Sequence, residues 1–354
     1  MPLAAWRRHT RMHESIEAAD TDRQLWRRAA AGDRDAFADA TMRYRRELEV
    51  HCYRMLGSLD EAEDLVQETL LRAWRRRETY AGRSTLRAWL YGIATNACLD
   101  ALERRSQRLL PYAAGPPADP FATPPPASDT PWLEPYPDRL LDELIDEQPE
   151  LADTVAANET IELAFLVAIQ QLPPRQRAVL ILRDVVGWSA RDTAELLGGT
   201  VIATKSALQR ARETVKEHLP KQRLDWTRGE ANVAQQELLA RYMDAWHRAD
   251  VDGLVELLAE DARLAMPPTP AWYDGREAIR AFLATTPMAP SAARHLHVLT
   301  AANRQPAFAV FASSDTGVHP IALEVLRIEN GLVATIDVFR EARLLERFAV
   351  AAPA

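Results

Sequence analysis

The sequence predicts a multidomain protein: two all-α helical domains, the second with a helix-turn-helix, followed by an α+β cone. Three observations predict this. Residues 57–105 and 172–219 each carry strong helical periodicity behind capping signals, and a proline-rich stretch separates them. Past Leu219 the pattern changes to a helix pair and then short strand-like runs. The 354 residues are enough for several separate cores. The boundaries follow: a first helical domain over 22–110, a linker over 111–155, a second helical domain over 156–222 and the cone over 232–348.

In the first domain, Ser58 with Glu61 forms a capping box before a helix whose apolar face is Ala62, Leu65, Val66, Thr69, Leu70 and Ala73. Asp60, Glu61, Asp64, Gln67 and Glu68 lie outside that face. An acidic face suits docking on a basic partner surface, where opposed charges speed and orient the encounter; plain solvation is the alternative. The sign then reverses: Arg72, Arg75, Arg76, Arg77, Arg83, Arg87, Arg104, Arg105 and Arg108 meet only Glu78, Asp100 and Glu103. Trp74, Tyr80, Trp89 and Tyr91 are interleaved with them. Arginines follow a nucleic-acid backbone, and aromatic faces stack unpaired bases at roughly 1–3 kcal/mol each. Trp89, on an otherwise apolar helix face, reads as packing. The loop from Tyr80 to Thr85 holds Gly82, Ser84 and Thr85, which allow close backbone approach and supply donors and acceptors. On the helix that begins at Leu86, Asn96 is a candidate base or backbone contact, against the alternative of a surface asparagine with no partner.

The stretch from about Leu110 to Glu150 connects the helical domains. Its first part, PYAAGPPADPFATPPPASDTP, predicts an extended or disordered chain. Its second part, WLEPYPDRLLDELIDEQPE, is acidic, with Trp132, Leu133 and Tyr136 placed to anchor it on a partner. The second domain follows. Pro173 and Pro174 suit a helix start, because proline lacks the N–H that a first turn leaves unbonded. Ser189 with Asp192 caps a helix over Ala190–Leu197, Gly198-Gly199-Thr200 is the turn, and Val201–Arg212 the next helix. Its outer face should carry Thr204, Lys205, Gln209 and Arg210, with Val201, Ala207, Leu208 and Ala211 inward. Short polar side chains early and arginines late suit the DNA major groove; a hairpin with a solvated basic face is the alternative.

The last domain opens on an amphipathic helix pair over Leu238–Leu258. A strand over Ala262–Met266 and the segment PPTPAWYDGREAIRAFLAT follow. Strand-like runs then cover His295–Thr300, Phe308–Ala312, Ile321–Ile328 and Val333–Arg340, with Asn330-Gly331 as a hairpin turn. Such a cone should enclose a pocket lined by Trp246, Met266, Trp272, Tyr273, His297, Glu324 and Asp337. A histidine beside a buried carboxylate permits general acid/base chemistry when burial moves both toward neutrality. Regulation and ligand sensing remain as alternatives, since fold alone does not choose.

Composition narrows the classes. The net charge of −8 is unevenly spread, so local sign outweighs the sum. Cys52 and Cys98 form no CxxC and no histidine cluster has ligand spacing, which argues against a disulfide framework, a structural zinc or any cofactor. No apolar run is long enough to cross a membrane, and Arg7, Arg8 and Arg11 are not followed by the apolar core of a signal peptide. A cytoplasmic location follows.

On these residues the chain resembles the extracytoplasmic-function group of sigma-70 factors, the promoter-recognition subunits of bacterial RNA polymerase. Asp60-Glu61-Ala62-Glu63-Asp64-Leu65-Val66-Gln67-Glu68 with Leu71-Arg72-Ala73-Trp74 is similar to the family's polymerase-binding helix. Trp89-Leu90-Tyr91-Gly92-Ile93-Ala94-Thr95-Asn96 with Asp100 is similar to the helix that reads the −10 element. The helix-turn-helix is similar to the family's −35-reading domain, and the two matches cover about half of the chain in the right order.

The resemblance implies core RNA polymerase, through its beta-prime and beta subunits, as partner of Asp60, Glu61, Asp64, Gln67 and Glu68. It implies a melted −10 element read by Arg76, Arg77, Tyr80, Arg83, Ser84, Thr85, Arg87, Trp89 and Asn96, with a flipped base held by the Tyr80–Thr85 loop. It implies a double-stranded −35 element read by Ser189, Thr200, Thr204, Lys205, Ser206, Gln209 and Arg210. One departure stands out: Lys205 occupies the place of the family's asparagine in VNSALQRAR, which puts −35 specificity in doubt. An anti-sigma partner is compatible with the resemblance.

In related sigma factors the linker threads the polymerase's active-site cleft and RNA exit path, where acidity would mimic nucleic acid; a solubilising tether is the alternative. The last domain resembles SnoaL-like, polyketide-cyclase-like domains through Trp272-Tyr273-Asp274-Gly275-Arg276 and the following helix. It is then expected to regulate the sigma module in cis rather than act as an enzyme. A SnoaL-like isomerase would leave the arginine–aromatic module unexplained, and a one-component repressor would leave the acidic helix unexplained.

Overall fold

The computed structural model describes residues 23–82, 84–105, 107–147, 160–219, 233–286, 288, 294–314 and 317–353. Two compact units result: one runs to Arg105 and includes Trp188–Lys205, the other comprises Ser106–Gly187 and Ser206–Ala354.

The first unit is helical. After α1 (23–30) come α2 (Arg34–Met42), α3 (Arg45–Leu56), α4 (Leu59–Arg75) and α5 (Leu86–Leu102). Each start has a chemical cause. Asp33 accepts from the Ala36 N–H at 3.0 Å, Ser58 from Glu61 at 3.3 Å and Thr85 from Ala88 at 3.1 Å, so orphan donors of the first turns are satisfied. The Glu61 carboxylate pairs with Arg105. Gly57 ends α3 at φ 74°, a left-handed cap that suits glycine.

Helix α3 is the buried centre of this unit, with Leu48, Val50, Cys52, Tyr53 and Met55 fully covered. It carries polar groups inward too, and α5 meets them in register. Arg87 Nε donates to Glu47 Oε2 at 2.8 Å, the Tyr91 hydroxyl lies 3.4 Å from the same oxygen, and His51 Nε2 is 2.9 Å from Thr95 Oγ1. Burial raises the Glu47 pKa against the pull of Arg87, and it drives His51 down to about 3, helped by Arg54 and Arg87.

In the second unit the linker has short helices α6 (Pro111–Ala114) and α7 (Asp138–Glu147), and α8 (Leu163–Gln170) and α9 (Pro174–Leu180) follow. Arg177 is fully buried and donates to the carbonyls of Ile169, Gln170 and Leu172, tying α9 to the end of α8. The helix-turn-helix is α10 (Ala190–Leu196) and α11 (Val201–His218), and the unit boundary falls inside α11. No breaker occurs between Arg212 and His218, and the helix runs six residues past its expected end at Arg212.

The last domain is an α+β cone. Helices α12 (Val233–His247), α13 (Val251–Glu256) and α14 (Arg276–Thr285) pack on a six-stranded sheet, and α15 (Ala342–Phe348) lies along β5. The strands are β1 (Leu258–Ala265), β2 (Trp272–Asp274), β3 (Arg294–Ala302), β4 (Gln305–Ser314), β5 (Gly317–Glu329) and β6 (Leu332–Phe339). Their order is β2-β1-β6-β5-β4-β3, with only the β1–β6 pair parallel. Asn330 and Gly331 have φ of 51° and 72°, as a two-residue hairpin turn requires. Asn303 and Arg304 make the same kind of turn between β3 and β4, at 55° and 57°.

The helices cover one face of the sheet. Tyr242 stacks on Phe308 at 5.4 Å and Tyr273 on Phe282 at 4.3 Å, within a core that includes Leu264, Leu326 and Ile336. The opposite face is covered by the linker, whose first part is extended chain past Ala114, the extended form being one of the two expected. Trp272 Nε1 donates to Gly115 O at 2.9 Å and Ala118 N to Trp272 O at 2.8 Å. Trp132 Nε1 donates to Pro268 O at 3.1 Å. Proline-rich chain cannot pair with itself, so its backbone and aromatic groups are satisfied by the domain beneath.

Candidate nucleic-acid interface

Helix α4 presents the acidic side as its spacing implied. Ala62, Val66, Thr69 and Ala73 are buried, Asp64 and Gln67 exposed, and Asp60, Glu61 and Glu68 half-exposed. Glu68 pairs with Arg72 at 2.8 Å and Glu61 with Arg105. Leu71, part of the motif likened to the polymerase-binding helix but not among its candidate contacts, is 51% exposed one turn past Gln67. Leucine at the end of an otherwise polar face was the available signal.

The basic, aromatic segment divides into two kinds of residue. Trp26, Phe37, Trp74, Tyr80 and Trp89 form a ring cluster with centroids 5.2–5.8 Å apart. Trp89 packs there as expected, and so does Tyr80, whose hydroxyl also donates to Ser84 O at 2.7 Å. Arg77 lies over the Trp74 ring at 4.4 Å and donates to its carbonyl. Arg87, expected at the −10 element, is committed instead to Glu47 at 2.8 Å and to the Tyr91 ring at 5.0 Å. Arg76, Ser84, Thr85 and Asn96 remain exposed, although the Thr85 hydroxyl is occupied as a helix cap. Arg83 lies outside the described residues.

On the helix-turn-helix, Ser189 caps α10 by accepting from Asp192 N at 3.1 Å, and its hydroxyl donates to that carboxylate at 2.6 Å. Thr200 caps α11 by accepting from Ala203 N at 3.1 Å. Thr204 is corrected: it is 5% exposed and lies in the inward stripe with Leu208, Ala211 and Val215. Of the residues expected inward, Leu208 and Ala211 are buried and Ala207 is half-buried, whereas Val201 is 39% exposed; Ile202 beside it is 80% exposed. The buried stripe runs i, i+4, i+7, i+11 from Thr204, so Leu208 and Ala211 keep their expected side and Thr204 joins them. Lys205, Ser206, Gln209 and Arg210 are exposed along the outer side. Arg212 is tied to Asp184 by two bonds of 2.7 Å.

The expected pocket does not assemble on one wall. Trp246, Met266, Tyr273, His297 and Glu324 lie on the helix-covered face, where Trp246 stacks on His297 at 5.0 Å and Tyr242 donates to Glu324 at 3.1 Å. Trp272 and Asp337 are one residue out of phase, opposite Ala265 and Val325, and point to the linker-covered face. Alternation along a strand puts adjacent residues on opposite faces, so Tyr273 and Trp272 cannot share a pocket. Asp337 therefore cannot act with His297. Burial lifts its carboxyl to about 7, against the pull of Arg327 and a Thr335 hydrogen bond.

The β3–β4 turn gathers the linker and α8. Asn303 N donates to Tyr136 O at 2.9 Å, its Oδ1 accepts from Tyr136 N at 2.8 Å and its Nδ2 donates to Ile161 O at 2.7 Å. Arg304 N donates to Asp138 Oδ1 at 2.8 Å and its guanidinium to Asp142 at 2.7 Å. Arg327 pairs with Glu162 at 2.8 Å. Trp132, Leu133 and Tyr136, expected as anchors on a partner, are buried within this unit.

Family comparisons agree with the three parts. Residues 41–108 match Sigma-70 region 2, 162–215 match Sigma-70 region 4 and 239–336 match a SnoaL-like domain. The ECF RNA polymerase sigma factor SigG of Mycobacterium tuberculosis is 42% identical over 317 residues, 89% of this chain and 84% of that one. SigW of Bacillus subtilis is 28% identical over 188 residues, 53% of this chain and 91% of that one. The crystal structure of the Mycobacterium tuberculosis extracytoplasmic function sigma factor SigJ covers 89% of this chain and 99% of its own, with a TM-score of 0.55 and 19% identity, a likeness of fold.

Proposed function

The chain belongs to the ECF RNA polymerase sigma factors, which direct promoter-specific initiation, and from that premise we propose how its parts divide the task. Core RNA polymerase, at its beta-prime and beta subunits, is met by α4 through Asp60, Asp64, Gln67, Glu68 and Leu71. The exposed acids steer the approach and Leu71 supplies apolar area at the contact. The melted −10 element is met by Arg76, Ser84, Thr85 and Asn96, with Tyr80 and Trp89 forming the aromatic floor under them. The double-stranded −35 element is met by Lys205, Ser206, Gln209 and Arg210. Ser189 and Thr200 hold the helix starts, Thr204 the packing. These acts take place in the cell interior, where an anti-sigma protein would compete for the same surfaces.

The C-terminal domain regulates in cis by holding the linker. The observation that carries this is the Asn303-Arg304 turn, which binds Tyr136, Asp138, Asp142 and Ile161 on both sides of the acidic segment. Arg304 neutralises the charges that would otherwise be offered to basic walls of the polymerase. Domain and polymerase thus compete for one segment. His297 Nε2 lies 3.4 Å from Glu324 Oε2 on the helix-covered face while Asp337 faces the other way, so the regulatory reading of the domain rests on its hold on the linker. In vitro transcription with core polymerase tests this: Asp142→Lys, which repels Arg304, should change transcript yield at the same start sites. Unchanged yield would remove the linker from regulation.

A further inference from the structure

The inference rests on the reading of α11 as the −35 helix. Ile202 exposes 80% of its surface, the largest fraction among the exposed large apolar side chains described. Its orientation is fixed, because Thr204, Leu208, Ala211 and Val215 hold the other side of the helix inward. It stands in the first turn of α11, one turn before Lys205 and Ser206 and two before Gln209, on the same exposed side. Arg210 follows about 12 Å further along the axis, at 1.5 Å per residue. The surface is therefore cationic along its length and apolar at its leading end. Its complement is an anionic ligand with an apolar group at one defined place. In the major groove of B-DNA the thymine C5-methyl is such a group, and the N-terminal residues of a recognition helix are the ones that reach base edges.

We infer that Ile202 packs on the C5-methyl of a thymine in the −35 element and is a specificity residue there. Lys205 and Arg210 hold the helix on phosphates or purine edges, while Ile202 selects the thymine. The sequence pattern hid this residue because an isoleucine in a helix reads first as core.

The test uses the full-length chain in complex with core polymerase. A −35 element is first selected from a randomised duplex library. Each thymine in it is then replaced singly by deoxyuridine, which lacks only the methyl group. At one position the wild-type complex should bind about fourfold more weakly, the worth of one buried methyl at about 0.8 kcal/mol. Ile202→Ala should bind thymine and deoxyuridine equally, at the wild-type level for deoxyuridine. The side chain is exposed, so the substitution leaves the fold intact. A selected element with no methyl-sensitive position overturns the inference, as does methyl sensitivity that persists in Ile202→Ala. Failure to select any −35 element overturns the DNA reading of α11 itself, and the inference with it.

Discussion

Asp337 shows how one residue can be read correctly as buried and still be misassigned. Its period-2 phase, opposite Val325, turns it away from His297 and toward the linker. Its folded pKa of about 7 lies above the ordinary 3.8, so the native state holds a proton that the unfolded chain releases. Stability should therefore fall as pH rises from about 4 to about 7 and level off above, a loss of up to about 4 kcal/mol. Thermal melts of Asp337→Asn should lack that slope and lie above wild type at pH 8; an identical slope would contradict the assignment. On α11 two neighbouring polar residues should behave differently. Arg210→Ala should weaken promoter binding about tenfold, the scale of one lost base or phosphate contact. Thr204→Ala should lower the melting temperature and leave promoter choice unchanged, since its side chain is inside. Footprinting and melting of the two variants separate the cases.

Among the elements, α4 is expected to set both the speed and the lifetime of the polymerase complex. Asp64→Lys should slow association and flatten its salt dependence, while Leu71→Ala should act on dissociation and raise the Kd about tenfold, both readable by surface plasmon resonance. Helices with capping signals were legible in the sequence because the cause is local: Ser58 and Ser189 each bond within three residues, whereas Thr85, read as a base contact, proves to be a cap as well. The Asn330-Gly331 hairpin was legible for the same reason. What escaped was long-range. The 3.6-residue phase of α11 depends on which side meets a core, and only packing shows that Thr204 turns in and Ile202 out. The three-residue strand β2 is too short to announce a period. The linker's order comes from partners more than a hundred residues away, Trp132 with Pro268 and Tyr136 with Asn303.

At the scale of the whole molecule, the linker belongs to the C-terminal unit, and the proposed regulation rests on that membership. Arg304 is 5% exposed and its removal leaves Asp138, 1% exposed, with its charge less compensated. Breaking such a buried pair costs about 3–5 kcal/mol, so Arg304→Ala should loosen the 107–147 segment and speed its limited proteolysis. The most direct measurement is transcription from genomic fragments by core polymerase reconstituted with the full-length chain, with transcript 5′ ends mapped. Discrete start sites that depend on the chain and weaken with Arg210→Ala are expected. No start sites, together with no co-elution of chain and core, would contradict the assignment as a sigma factor.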